Sequence, residues 1–381
     1  MKINPVIIIA FSAILIISCD DNESWTEKRS QELSKVYRDE TLKITFNGQE
    51  VQHKAVGFNT TNLNTSTFAL RYLIPGENPL EIKDVPLEEI QEKPGSYSFN
   101  TSSSNDSRKI DITGTIGDKM EIDVQFKITS PIMGKWSPIP NKEKGPLEFR
   151  IVPAPGNETI NMHGIFQNKI IPLVGDEGFN AVIKDLGALL FSIIQISLDL
   201  QESSELIAHC SIMGGTPSES EAGMVKYNVL NDKVFAAVAI DELLFPSPET
   251  KSSSFSNTEA LINLLQYIYQ GIPIPISLSE DNKALQVRIT KEMMVPYLDA
   301  AMELLAPKLA ELEINPILSM LFGITKENIP LFLSELVRVI KESNEFDIQF
   351  NLQPAPDTQF RGAPSKQELI EFANQLKYNL K

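Results

Sequence analysis

The sequence predicts an α+β, β-rich protein: an N-terminal antiparallel barrel or sandwich, then helix/antiparallel-strand repeats, then C-terminal helices. Three observations carry this. Between residues 41 and 130, apolar and polar residues alternate in short runs, with turn residues at intervals of roughly 8–12 positions. Helical periodicity enters only after residue 177. In the second half, a helical pattern leads directly into paired alternating strands on two occasions, at 177–212 and 256–290.

The chain opens with Lys2 and then the apolar run Val6–Ile17, broken only by Ser12. A membrane-spanning helix needs about 20 apolar residues. This run is shorter and has the character of an export-signal core, so residues 1–18 read as a signal peptide. The small Ser18 precedes Cys19, and Ile16-Ile17-Ser18-Cys19 resembles a bacterial lipobox. That resemblance implies lipidation of Cys19 as the first residue of the mature chain, and so membrane attachment through acyl chains. Asp20-Asp21-Asn22-Glu23 follows at once.

Residues 19–39 read as a polar tether and 40–135 as a β-meander domain. Leu42–Phe46 alternates and runs into Asn47-Gly48, a strong hairpin signal. Phe68–Leu73 ends at Pro75-Gly76. Tyr97-Ser98-Phe99 precedes a Ser/Asn-rich stretch at 101–107 that reads as a loop. Ile110–Thr113 and Ile122–Ile128 alternate around Gly117-Asp118. Residues 136–160, rich in Pro and Lys, read as a linker with one strand at Leu147–Ile151.

An α+β domain at 161–353 follows. Phe179–Ile194 is helical in pattern and continues into alternating Ile194, Ile196, Leu198 and Leu200. A strand runs Glu205–Ile212, and Met224–Val229 pairs with Val234–Ile240 around Asn231-Asp232. The same order returns with a helix at Glu259–Tyr269, a strand at Ile272–Leu278, the turn Asp281-Asn282 and a strand at Leu285–Ile289. Helices at Glu292–Leu312, bent near Pro296 and Pro307, and at Ile329–Glu342 precede a strand at Asn344–Leu352. Residues 354–381 form a tail with an amphipathic helix at Lys366–Leu380.

Composition excludes several classes. Without residues 1–18 the chain has 33 Lys and Arg against 50 Asp and Glu, a net of −17. Nucleic acid needs the opposite balance, and so does electrostatic docking on an anionic membrane. With Cys19 carrying lipid, Cys210 has no intramolecular disulfide partner. The chain lacks G-x-S-x-G, H-E-x-x-H, G-x-x-x-x-G-K and G-x-G-x-x-G. The histidines are only His53, His163 and His209. On a strand, His209 and Cys210 point to opposite faces and cannot share a metal. No catalytic residue, cofactor site or metal site is therefore expected, and the expectation is a non-enzyme; paired carboxylates are the one catalytic alternative. Met293, Met294, Tyr297, Met302 and Leu305 lie on a helix apolar over much of its surface. They read either as core packing or as the wall of an apolar ligand pocket, for which Met is well suited.

The lipobox with its acidic follower, the meander ending Ile112–Lys119, and Gly271–Ile276 with Leu285–Lys291 together resemble a group of Bacteroidota surface lipoproteins of unknown function. The resemblance spans nearly the whole chain. It implies a calycin-like β-domain, outer-membrane localisation with exposure at the cell surface, and no known activity. Ile274-Pro275 predicts weakened strand pairing at that edge. The functional expectation is a lipid-anchored protein that binds an apolar small molecule, a glycan or an outer-membrane protein. The alternative is a structural or accessory subunit of a surface complex.

Overall fold

The computed structural model describes residues 24–138, 145–163, 169–212, 215–239, 259–302, 319 and 325–355. They fall into two compact units, and the chain passes from the first to the second between residues 127 and 128.

The first unit begins with α1 (Trp25–Leu33). Ser24 and Glu27 close a reciprocal capping box at its start, satisfying two of the amides that a helix N-terminus leaves free. The segment expected as a tether thus holds a helix, followed by β1 (Val36–Arg38). Next come β2 (Leu42–Phe46), β3 (Gln49–Glu50), β4 (Ala55–Thr60), β5 (Thr65–Arg71), β6 (Leu80–Glu89), β7 (Tyr97–Ser104), β8 (Arg108–Ile116) and β9 (Met120–Ile128). They form one curled sheet in the order β1-β4-β5-β6-β7-β8-β9-β2-β3. The meander is antiparallel, and β2 returns to run parallel to β9. Asn47 (φ 49°) and Gly48 (φ 80°) make the expected hairpin turn, since both central positions of a type I′ turn require positive φ.

The expected loop at 101–107 is instead largely paired: β7 and β8 match from Tyr97↔Ile116 to Ser104↔Lys109. Backbone pairing needs no apolar side chains where the strands face solvent. Toward the interior, Phe58, Phe68, Phe99, Ile112, Val124 and their neighbours are all buried. Side chains fill this sheet's concave side.

α1 lies across one end of the sheet. Arg29 donates twice to the Gly95 carbonyl, at 2.9 and 2.7 Å. The Tyr37 hydroxyl donates to the carbonyls of Leu33 and Gly117. Burial pushes the Tyr37 phenol well above its ordinary value of 10.0, and the nearby Arg29 charge only partly opposes this. Tyr227, in the second unit, is raised for the same main reason. A phenol whose folded pKa is raised contributes stability that is present below the unfolded value and lost as pH rises past it. Denaturation midpoints should therefore hold up to about pH 10 and fall beyond it. Tyr37→Phe should flatten part of that fall.

The second unit is built on a ten-stranded antiparallel sheet. Its strands are β10 (Gly134–Pro138), β11 (Leu147–Val152), β14 (Ile194–Leu200), β15 (Leu206–Ile212), β16 (Ser218–Glu219), β17 (Val225–Leu230), β18 (Lys233–Val238), β19 (Ile272–Leu278), β20 (Leu285–Thr290) and β21 (Glu345–Pro354). A separate hairpin joins β12 (Thr159–Asn161) and β13 (Ile170–Pro172). The stretch 136–160, expected as a linker with one strand, holds that strand as β11 and also parts of β10 and β12, because β21 offers one edge to β10 along its last residues and to β11 along its first. Among the described residues, the unit's helices include α2 (Phe179–Ile193), α3 (Glu259–Gln270), the single turn α4 (Lys291–Met294) with a 3₁₀ turn at Val295–Tyr297, and α5 (Asn328–Glu342). The 3₁₀ turn contains Pro296, where a bend is expected. The expected helix at 366–380 lies outside the described residues.

The sheet curls until β17 meets the β14–β15 turn. Glu205 bridges to Lys226, and Ser204 and Tyr227 exchange two hydrogen bonds of 2.7 and 2.6 Å. α2 feeds straight into β14, as its apolar run implies.

Candidate functional site

Side chains of residues paired across an antiparallel ladder stand on the same face of a sheet, so the register assigns every strand residue of the second unit to a side. Trp136 pairs with both Leu198 and Pro354. Leu198 pairs with Ala208, and Ile196 with Cys210. Leu147, Phe149 and Ile151 oppose Phe350, Ile348 and Phe346. Val287 lies between Phe350 and Ile276, and Ile274 opposes Val234. One face is therefore continuously apolar from β15 through β14, β21, β20 and β19 to β18, with no charged side chain among these positions. The opposite face carries Gln195, Ser197, Asp199, His209, Gln286, Arg288, Gln349 and Asn351.

Part of the apolar face has a solid cover. Phe179, Val182 and Ile183 of α2 and Val339 and Ile340 of α5 form one buried cluster with Ile151 and Phe346. Phe149 links the layers, its ring centroid 5.3 Å from that of Phe346 and 5.7 Å from that of Phe179. α2 approaches β11 closely because Gly187 has no side chain. A Cβ there would lie 2.9 Å from the Leu147 Cβ, a distance real Cβ atoms essentially never show.

The rest of the face is covered only in part. Ile196, Leu198, Leu206, Ala208, Cys210, Ile272, Ile274, Ile276, Val287 and Ile289 are all half-buried. In the first unit the inward Phe58, Phe68, Phe99, Ile112 and Val124 are buried, so the contrast lies within one chain. Each Å² of apolar surface left wet forgoes about 25 cal/mol. A row of branched residues at such positions is therefore a standing driving force for an apolar occupant.

The prolines shape this face's edge. Ile272–Pro275 pair with β18, whereas only Ile276–Leu278 pair with β20. The amide of Ile276 donates to the Asp232 carbonyl on the β18 side, and that of Ser279 to Ala284 on the β20 side. Even-numbered residues of β19 thus address β18 and odd-numbered ones address β20. Pro273 and Pro275 would address β20 but have no N–H to donate, so the ladder to β20 begins only after them. The expected weakening is confined to one side of the strand.

Four of the five residues expected as a pocket wall lie among the described residues. Met294 is half-buried and packs on the α2/α5 cluster, with Val295 and Leu298 beside it. Tyr297 stacks on Tyr267 with centroids 4.6 Å apart; burial is the main cause that raises the Tyr267 phenol, with Tyr297 adding to it. Met293 and Met302 are half-buried. Leu305 and Cys19 lie outside the described residues. The strand residues that form the apolar face, above all Ile196, Ile274, Ile276 and Val287, are not among those expected wall residues. Their signal was the alternation of isoleucines along 194–200 and 272–278.

Other chemistry-bearing groups have structural partners. Arg338 holds Glu335 at 2.7 Å and Glu342 at 2.8 Å and donates to the Thr159 carbonyl, tying α5 to β12. Its hydrogen bond is the main reason the Glu335 carboxyl sits below its ordinary value. His209 and Cys210 point to opposite faces, as expected, and the His209 Nδ1 lies 3.1 Å from Glu219. Among the described residues, no three His, Cys, Asp or Glu side chains are grouped to hold a metal. Trp136 is only 3% exposed and donates to the Ile132 carbonyl at 2.7 Å, so it offers no platform for a sugar. No described helix is long and apolar enough to cross a membrane. No family model, curated protein or solved structure matches this chain.

Proposed function

We propose that this is a lipid-anchored protein of the outer membrane, displayed at the cell surface, that binds an apolar small molecule without catalysis. The binding face is the apolar side of the second unit's sheet between β14 and β19. One observation carries the reading: on either side of the covered centre at β21, the uncharged side chains of this face on β14 and β15 and on β19 and β20 are mostly left half-buried, whereas the inward residues of the first unit are buried. Ligand sites are lined mostly by apolar side chains, and the apolar character of this face supports the reading. A glycan is less well served, because the buried Trp136 is unavailable for stacking.

Two finer readings belong with this proposal. The first unit is read as calycin-like, on its meander and the return of β2 to β9. The second is read as a repeated unit of helix, strand, turn and strand, with α2-β14-β15 answered by α3-β19-β20. The anchor rests on Lys2, Val6–Ile17, Ser18 and Cys19.

Native mass spectrometry of delipidated protein purified from its own host tests the binding reading. A co-purified apolar species is the expected result, and a clean apo mass argues for the accessory-subunit role instead. For the anchor, Cys19→Ala should move the protein from the membrane fraction to the soluble fraction. Retention in the membrane would defeat the lipidation reading.

A further inference from the structure

We infer that Trp25 is a second membrane contact, seated in the headgroup zone of the bilayer that holds the acyl chains; this rests on the proposed lipidation of Cys19. Trp25 is 58% exposed at the first position of α1, whereas the other tryptophan, Trp136, is 3% exposed. An exposed indole on a soluble surface keeps a large apolar area in water, while a bilayer interface accepts both the ring and its N–H.

The position of Trp25 is fixed by the chain. The capping box at Ser24 and Glu27 sets the helix start. Arg29 pins the helix through its two bonds to the Gly95 carbonyl, while Ser30 and Leu33 are buried beneath it. Five residues lie between Cys19 and Trp25, and the six Cα–Cα steps reach at most about 21 Å when fully extended. That reach holds Trp25 close to the bilayer surface and places the α1 end of the first unit toward it. Net charge plays no attractive part, since Asp20, Asp21, Glu23 and Glu27 outnumber Lys28 and Arg29 in the sequence around Trp25. The partner is therefore a zwitterionic interface and not an anionic one.

The test is tryptophan fluorescence of the full-length lipidated protein in phosphatidylcholine–phosphatidylethanolamine vesicles, with and without lipid spin-labelled near the headgroup. Flotation with the vesicles reports the anchor separately. The expected result is flotation, a blue-shifted Trp25 emission and loss of most of that emission with spin-labelled lipid. In Trp25→Phe the lipid-quenchable signal should vanish while flotation persists. A floating protein whose Trp25 emission stays red and is quenched only by aqueous acrylamide overturns the contact alone. A blue shift that follows protein concentration without lipid quenching overturns it in favour of self-association. Failure to float overturns the anchor, and the contact with it.

Discussion

Phe346→Ala is expected to cost the second unit about 3–5 kcal/mol, the usual range for truncating a fully buried phenylalanine. Phe346 is 0% exposed and opposes Ile151 across the β11–β21 ladder. Its ring is one of a series, through Phe149 and Phe179 to Phe332, that joins β21, β11, α2 and α5. Removing it leaves a cavity where four elements meet, and the rigid ladder on either side limits collapse. Urea denaturation followed by circular dichroism measures the loss. A change below about 1 kcal/mol would mean that this cluster is not the centre of the unit's packing.

Ile276→Glu is expected to weaken binding of a neutral naphthylamine dye by about a hundredfold or more. Ile276 stands mid-face between Val287 on one side and the proline segment on the other. An apolar occupant there would have to strip water from the new carboxylate, which costs several kcal/mol for an unpaired charge; about 2.8 kcal/mol already corresponds to a hundredfold. Ser277→Glu is the matched control. Ser277 is itself exposed and stands on the opposite face from Ile276, so the dye affinity of this variant should stay within about twofold. Equal losses in both variants would contradict the face assignment.

Much of this architecture was legible in the sequence, and the exceptions have physical causes. Strands with unbroken alternation, such as Ile122–Ile128 and Ile194–Leu200, stand where the pattern puts them, and the turns at Asn47-Gly48 and Asn231-Asp232 both take positive φ. β6 gives no clean signal because its inward residues Ile82 and Val85 are three apart. The register shifts between Ser66 and Phe68 on β5, and Asp84 opposite them has φ of 56°. This bulge keeps both side chains inside while breaking the period. α1 was legible in Ser24-Trp25-Thr26-Glu27, a capping-box spacing hidden in an otherwise polar stretch. The strand expected at 147–151 is present as Leu147–Val152, whereas that at 134–138 looks like linker because prolines surround it; its partner β21 arrives some two hundred residues later, and local pattern carries no such information. The apolar face was visible as isoleucine alternation. Its partial exposure was not, since period-2 patterning has the same form whether a helix covers it or leaves it open.

The central claim is that the apolar side of this sheet receives an apolar ligand, and Cys210 reports on it directly. Its side chain shares that face with its cross-strand partner Ile196, and it is a free, half-buried cysteine. In full-length Cys19→Ala protein it is the only thiol. The measurement is the rate of Cys210 modification by N-phenylmaleimide, with and without the neutral dye at ten times its dissociation constant. At that concentration about one molecule in ten remains unliganded, so about tenfold protection is expected, lost in Ile276→Glu. A rate unchanged by saturating dye would contradict it.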